Sequence, residues 1–145
     1  MVMVIGQEYR PPFYGHVFMF GLEDHLISPF FTGYEGTGIE SLYPSNTDMF
    51  RKARAQGATF GYVHAFFGST DPLEGALGGA KGFMVDAALG TTDAVEWSGA
   101  GQAGFYPVYA AWNNGLRVTA VGGEDSISNL HASKLVGSAR TYIYT

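Results

Sequence analysis

Apolar runs alternate with polar, glycine-rich stretches along the chain, and their spacing predicts a regular series of elements. Runs rich in Val, Phe and Tyr predict β-strands over residues 2–10, 16–22, 58–64, 93–98, 116–123 and 138–145. Segments with helical spacing predict α-helices over residues 44–57, 80–89 and 103–115. The first helix has clear end signals, with Ser45 as N-cap, Asp48 in the first turn and Gly57 at the C-terminal end.

Two stretches without period, residues 24–43 and 65–79, are rich in glycine and aromatic residues and are predicted to be long loops. Between them and after them, the order strand, helix, strand, helix, strand is typical of βαβ units. Such units predict an α/β fold with a parallel sheet, helices covering its faces and functional groups at the C-terminal ends of the strands. The 145 residues are predicted to form one domain, 1–145.

Composition narrows the classes of function. The net charge of -5 and the dispersed basic residues disfavour a nucleic-acid partner. The chain has no cysteine, which excludes disulfides, zinc-thiolate sites and a thiol nucleophile. No run approaches the roughly 20 apolar residues of a membrane span, and residues 1–10 lack the regions of a signal peptide. We expect a soluble protein that binds no membrane, and its compartment stays open.

Candidate metal ligands occur where predicted strands end. Glu8 follows the first apolar run, His64 ends the run over 58–64, and Asp125 follows the run over 116–123. His16 stands at the start of the second run. Because parallel strands bring their C-terminal ends to one edge, these side chains are expected to converge on a mixed histidine and carboxylate site suited to Zn, Mn or Fe.

Each of these residues also has an ordinary structural interpretation. A histidine at a strand end is more often a hydrogen-bonded loop residue than a ligand. Glu8 alone is typical of a surface or turn acid, and Asp125 is typical of a helix N-cap or an Asx-turn. His25 and His131 are predicted to be loop residues. The sequence has no HExxH, GxSxG or phosphate-loop motif, so only the joint occurrence at several strand ends favours a site.

Several stretches, taken in order, resemble the second half of PHP-domain metal-dependent hydrolases, the polymerase and histidinol phosphatase superfamily. They are GQEYR, YGHVFMFGL, QGATFGYVHAF, DAVEWS, WNNGLRVTAVGGEDSISNLH and GSARTYIY. The branch that includes carbaryl hydrolase-like enzymes is the most similar. The resemblance implies the second half of a distorted (βα)7 barrel, with parallel strands, covering helices and divalent ions at the strand ends. It implies Glu8 as a bridging carboxylate and His16, His64 and Asp125 as further metal ligands.

Two departures from the family pattern qualify this expectation. Ile127 stands where some members have a histidine after the late Asp, and the first His-x-His motif of the family is absent, as are the later Asp and His. About half of the ligand set is therefore missing, and the chain is expected to be a partial barrel lacking the N-terminal strands, with a divalent ion that is weakly bound or absent.

Two main hypotheses of function follow, and they belong to different classes. In the first, the chain is a hydrolase in which a metal-bound hydroxide attacks an ester, carbamate, amide or phosphoester bond of a small-molecule substrate. In the second, it is a non-catalytic half-barrel module that needs homo-oligomerisation or a complementary N-terminal segment to cover its open edges. An ordinary α/β binding domain is the third alternative.

Overall fold

The structure is a computed structural model, and it describes residues 4–11, 13–27, 44–66, 79–97, 105–125, 137 and 139–145. The described part of the chain contains five strands and three helices. In chain order they are β1 (Ile5–Tyr9), β2 (Val17–Leu22), α1 (Asn46–Ala55), β3 (Thr59–Tyr62), α2 (Phe83–Ala88), β4 (Ala94–Trp97), α3 (Tyr106–Asn113) and β5 (Thr119–Gly122).

The strands form one mixed sheet in the order β1-β2-β3-β4-β5. Strand β2 is antiparallel to both β1 and β3, whereas β3, β4 and β5 run parallel to one another. The prediction of a half (βα)7 barrel with parallel strands throughout is therefore wrong. Residues 10–16 join β1 to β2, and a connection of that length makes a hairpin, because a parallel pair needs a crossover of about a dozen residues or more.

Two successive antiparallel pairings restore the direction of the first strand. Strands β1, β3, β4 and β5 therefore point the same way, and β2 alone is reversed among the described strands. The C-terminal ends of the four like-directed strands and the N-terminal end of β2 consequently share one edge of the sheet. We call this the upper edge, and it is where the candidate ligands lie.

The core lies between the sheet and the helices. Phe50 of α1 stacks on Phe60 of β3, with ring centroids 4.5 Å apart, and meets Tyr62 edge-on. Trp97 at the end of β4 stacks on Phe105 at the start of α3 at 3.9 Å. The units β3-α2-β4 and β4-α3-β5 advance across the sheet in one direction, so right-handed crossovers bring both helices to the same face.

Local signals in the sequence locate the helices well. Ser45 caps α1: its hydroxyl accepts the backbone N–H of Asp48, and the carboxylate of Asp48 accepts the backbone N–H of Ser45. Gly57 follows the C-cap Gln56 with φ of +78°, the left-handed conformation that glycine adopts most easily. With 10 residues, α1 is the longest described helix, and none of the described helices is long and apolar enough to cross a membrane.

The strand predicted over 138–145 is wrong in the part that the structure describes, since residues 139–145 form no strand. This segment instead contacts β5 through the side chain of Thr141, whose hydroxyl accepts the N–H of Gly122 at 2.8 Å. Most of the two predicted loops, 24–43 and 65–79, lies outside the described residues, which do not include 28–43 and 67–78.

Candidate metal centre

Three of the four predicted ligands meet at the upper edge. Glu8 lies near the C-terminal end of β1, His16 directly precedes β2, and His64 lies two residues after β3. One ligand atom from each forms a closed triangle: His16 Nδ1 to His64 Nε2 is 3.1 Å, His16 Nδ1 to Glu8 Oε1 is 3.2 Å, and His64 Nε2 to Glu8 Oε1 is 3.5 Å. The group of Glu8, His16 and His64 can therefore hold a metal ion.

The triangle has the dimensions of a tetrahedral zinc site. Ligands at about 2.0–2.1 Å from Zn²⁺ stand about 3.3–3.4 Å apart in a regular tetrahedron, and the three observed separations of 3.1–3.5 Å bracket that value. Two imidazoles and one carboxylate are also a ligand set used by catalytic zinc sites, which keep a fourth position open for water or substrate. The side chains of Glu8, His16 and His64 are 31, 27 and 15% exposed, so the cluster reaches solvent.

Electrostatics in the cluster favour a bound positive charge. Hydrogen bonds from His16 and then His64 hold the pKa of Glu8 well below its ordinary value, against the opposing effect of burial. The hydrogen bond to Glu8 raises the pKa of His64, again against desolvation, and the charge of Asp125 raises it further. Glu8 is consequently ionised at neutral pH. The Glu8 oxygen and the two histidine ring nitrogens converge on one point. Their lone pairs, which accept shared protons when no metal is bound, can bind a metal cation instead.

Close backbone approaches position the two histidines. A Cβ at Gly15, which has φ of +97° and precedes His16, would lie 2.3 Å from the carbonyl oxygen of Gly79. A Cβ at Gly79 would lie 2.8 Å from the carbonyl oxygen of His64. Only glycines allow the chain at residue 79 to pass this close to both histidines. From the start of α1, Asn46 donates its amide N–H to the carbonyl of Gly15 at 3.0 Å and so holds this turn against the helix.

Asp125 lies at the same edge, after β5, but it does not belong to the group of three ligand atoms. It has φ of +49°, and His64 has φ of +34°, so the chain turns sharply into the left-handed region after both strands. The pKa of His64 is raised chiefly by its hydrogen bond to Glu8, and the charge of Asp125 adds to this effect. The structure therefore brings Glu8, His16 and His64 together and leaves Asp125 as their charged neighbour.

Glu96 of β4 is a site neighbour that sequence reasoning missed. It is 8% exposed, and its Oε2 accepts the backbone N–H of His64 at 2.7 Å. The signal was present in the sequence, because Glu96 is a single acid between Val95 and Trp97 in a strand that is otherwise apolar. A buried carboxylate beside other ionisable groups is a common mark of a functional site.

Glu124 and His25 lie outside the cluster. Glu124 accepts the backbone N–H of Gly137, so it binds the chain at residue 137. His25 is an exposed residue paired with Asp24 at 2.7 Å, as expected for a loop histidine. His131 lies outside the described residues.

An apolar groove of about 400 Å³ lies on the sheet face opposite the three helices, and two of its lining residues, Val63 and Glu96, are neighbours of His64. The stacked rings of Phe18 and Phe20, with centroids 5.0 Å apart, form one side. The groove reaches the cluster through Val63, which precedes His64, and through Glu96. The described lining residues are Phe18, Phe20, Thr59, Val63, Asp93, Ala94, Glu96, Thr119, Val121, Gly122 and Gly123, none of which is basic.

No protein-family model, no curated protein and no solved structure matches this chain. The resemblance to PHP-domain enzymes therefore stays a prediction, and the geometry of the cluster is what bears on function.

Proposed function

We propose that the chain is a metal-dependent hydrolase whose divalent ion is held by Glu8, His16 and His64. The triangle of one carboxylate oxygen and two ring nitrogens, 3.1–3.5 Å apart and partly open to solvent, carries this proposal. Three protein ligands with a free fourth position are the arrangement of catalytic rather than structural zinc. When bound, the ion supplies Lewis-acid activation of water and of the bond to be broken.

The chain's own groups supply the rest of the site. Ionised Glu8 contributes the negative charge that holds the cation, and the imidazoles of His16 and His64, which bind a metal in their deprotonated form, complete the ligand set. Asp125, whose charge acts on His64, is the candidate to orient the attacking water. The groove beside the cluster takes an apolar part of the substrate, with Phe18 and Phe20 as its aromatic side.

The groove also favours one type of substrate among those with a hydrolysable bond. Its described lining contains the acids Asp93 and Glu96 and no basic side chain. Asp93 is paired with Arg54 at 2.9 Å, so Glu96 is the acid that would repel a phosphoester dianion there, whereas an uncharged ester, amide or carbamate would not be repelled. Homo-oligomerisation, or a complementary N-terminal segment, stays a separate prediction that sizing of the purified protein tests.

The test compares zinc-loaded protein with its chelated form on 4-nitrophenyl acetate and on 4-nitrophenyl phosphate. We expect chelator-sensitive ester hydrolysis that falls about 100-fold in His16→Ala, because removing one of three ligands abolishes tight coordination. His25→Ala is the matched control, since His25 is exposed and lies outside the cluster. Equal chelator-sensitive activity in His16→Ala and in the unmodified protein would contradict the proposal.

A further inference from the structure

Glu96 combines three properties that ordinary sheet residues do not share. It lies in a central strand, it is buried at 8% exposure, and it is a carboxylate. Burial of a carboxylate is unfavourable unless hydrogen bonds compensate it. One such bond comes from the backbone N–H of His64, at the end of the neighbouring strand β3.

This hydrogen bond stabilises a residue whose backbone conformation is unfavourable. His64 has φ of +34°, a conformation that costs a non-glycine residue about 1 kcal/mol or more. An N–H donated to a carboxylate is about twice as strong as a neutral hydrogen bond. Glu96 therefore stabilises the turn that directs the His64 ring back towards Glu8 and His16.

The other oxygen of Glu96, Oε1, lies against Gly123, the residue that directly follows the other neighbouring strand, β5. A Cβ at Gly123 would lie 1.9 Å from Oε1 of Glu96, and the three atoms nearest to it all belong to the Glu96 side chain. Glycine at position 123 therefore makes room for this carboxylate. Gly123 is two residues before Asp125, so the path of the chain into Asp125 also depends on Glu96.

We propose that Glu96 is a positioning residue of the metal centre: it fixes the backbone of His64 on one side and the chain at Gly123 on the other. The proposal rests on the proposed function, since His64 is a ligand only if the cluster binds an ion. Glu96 acts through His64 and not as a ligand itself. What it offers His64 is a hydrogen-bond acceptor in a fixed place.

The test measures the Zn²⁺ affinity of variants that distinguish the role of Glu96 as a hydrogen-bond acceptor from the role of its charge. Glu96→Gln keeps an acceptor oxygen in the same place, so its affinity should stay within about threefold of the unmodified protein. Glu96→Ala removes the acceptor and should lose about 10- to 100-fold, the range typical of residues that support metal ligands. Asp86→Asn changes another buried carboxylate, which is not bonded to the cluster, and should leave affinity unchanged. Equal losses in Glu96→Gln and Glu96→Ala, or none in Glu96→Ala, would overturn the proposal.

A double-variant cycle adds a test of the contact with Gly123. Gly123→Ala should displace the Glu96 carboxylate and lower Zn²⁺ affinity about as much as Glu96→Ala. In the Glu96→Ala background the obstructing side chain is gone, so Gly123→Ala should have little further effect. Additive losses in the double variant would show that the two residues act independently and would contradict the proposal.

The amide proton of His64 gives a readout that needs no metal. In metal-free protein its NMR resonance should shift much further in Glu96→Ala, which removes the acceptor, than in Glu96→Gln, which weakens the hydrogen bond but keeps it. If Zn²⁺ fails to bind the unmodified protein, the proposed function fails, while this resonance still reports whether Glu96 holds His64. An unchanged His64 amide in Glu96→Ala would overturn the positioning role itself.

Discussion

Individual buried polar side chains carry much of the organisation of this molecule. Asp86 on α2 is almost fully buried, and its carboxylate accepts the hydroxyls of Thr47, Tyr62 and Thr91. These three donors belong to α1, β3 and the turn that follows α2. Burial, with the neighbouring charge of Asp86, raises the pKa of Tyr62 far above its ordinary range, so its hydroxyl stays a donor.

Replacing Asp86 should therefore destabilise the fold without affecting metal binding. Asp86→Ala leaves the buried hydroxyl of Tyr62 and the half-buried hydroxyls of Thr47 and Thr91 without this acceptor, and we expect it to lower the free energy of unfolding by about 2–4 kcal/mol. Asp86→Asn, which retains one acceptor oxygen, should lose less. Urea unfolding of both variants measures this. A loss below about 1 kcal/mol in Asp86→Ala would contradict this role of the network.

Among the elements, α1 has the clearest sequence signals and a matching structure. Ser45 and Asp48 form a capping box, so each supplies the partner for a backbone N–H of the other. We expect Ser45→Ala to lower the free energy of unfolding by about 1 kcal/mol. Ser45→Thr, which keeps the capping hydroxyl, is the control and should stay close to the unmodified protein in thermal unfolding. Similar losses in both variants would argue against the cap.

The same cap predicts a dependence of stability on pH. Hydrogen bonds from the side chain and backbone of Ser45 lower the pKa of Asp48. The folded pKa lies below the unfolded one, so this contribution is fully present above the unfolded value, about 3.9. It is lost as the pH falls through the depressed folded pKa. The difference in unfolding free energy between the unmodified protein and Asp48→Asn should therefore shrink below about pH 4. A difference that stays constant down to pH 2 would contradict it.

The elements were largely predictable because their signals are local. Apolar runs marked all five described strands, and caps marked α1. Strand direction was not predictable in the same way, because it depends on pairing between distant segments. The hairpin at residues 10–16 makes β1 and β2 antiparallel, and the connection that contains α1 returns the chain to β2 antiparallel as well. The exposed run Tyr142–Tyr144 has strand-like composition but no partner strand in the described part of the chain.

At the scale of the whole molecule, the shared direction of most strands explains why the candidate ligands lie together, although the predicted barrel is wrong. Four of the five described strands share one direction, so Glu8 and His64 reach the same edge, and the reversed β2 brings His16 there by its N-terminal end. Asp125 follows β5 at that edge without joining the triangle. Glu96 stands out in the sequence as a single acid in an apolar strand, but its role depends on contacts with His64 and Gly123 that no local pattern reveals.

The packing of the core near the upper edge contributes to the stability of the fold. Phe50 is fully buried between α1 and the sheet, where it stacks on Phe60 and meets Tyr62 two residues before His64. Phe50→Ala should lower the free energy of unfolding by about 3–5 kcal/mol. The cavity that this substitution creates lies on the helix face of the sheet, so the Zn²⁺ affinity of the folded fraction should change little. Loss of affinity at temperatures where the variant is still folded would show that the core and the cluster are coupled.

The central claim is that Glu8, His16 and His64 together bind one divalent ion, and calorimetric titration of the metal-free protein with Zn²⁺ tests it most directly. The expected result is one ion per chain, with affinity reduced about 100-fold in His16→Ala and in Glu8→Gln and unchanged in His25→Ala. At a free Zn²⁺ concentration of 100 times Kd, binding should also stabilise the fold by about 2.7 kcal/mol. Failure of the unmodified protein to bind Zn²⁺, Mn²⁺ or Fe²⁺, or equal binding by His16→Ala, would contradict the account.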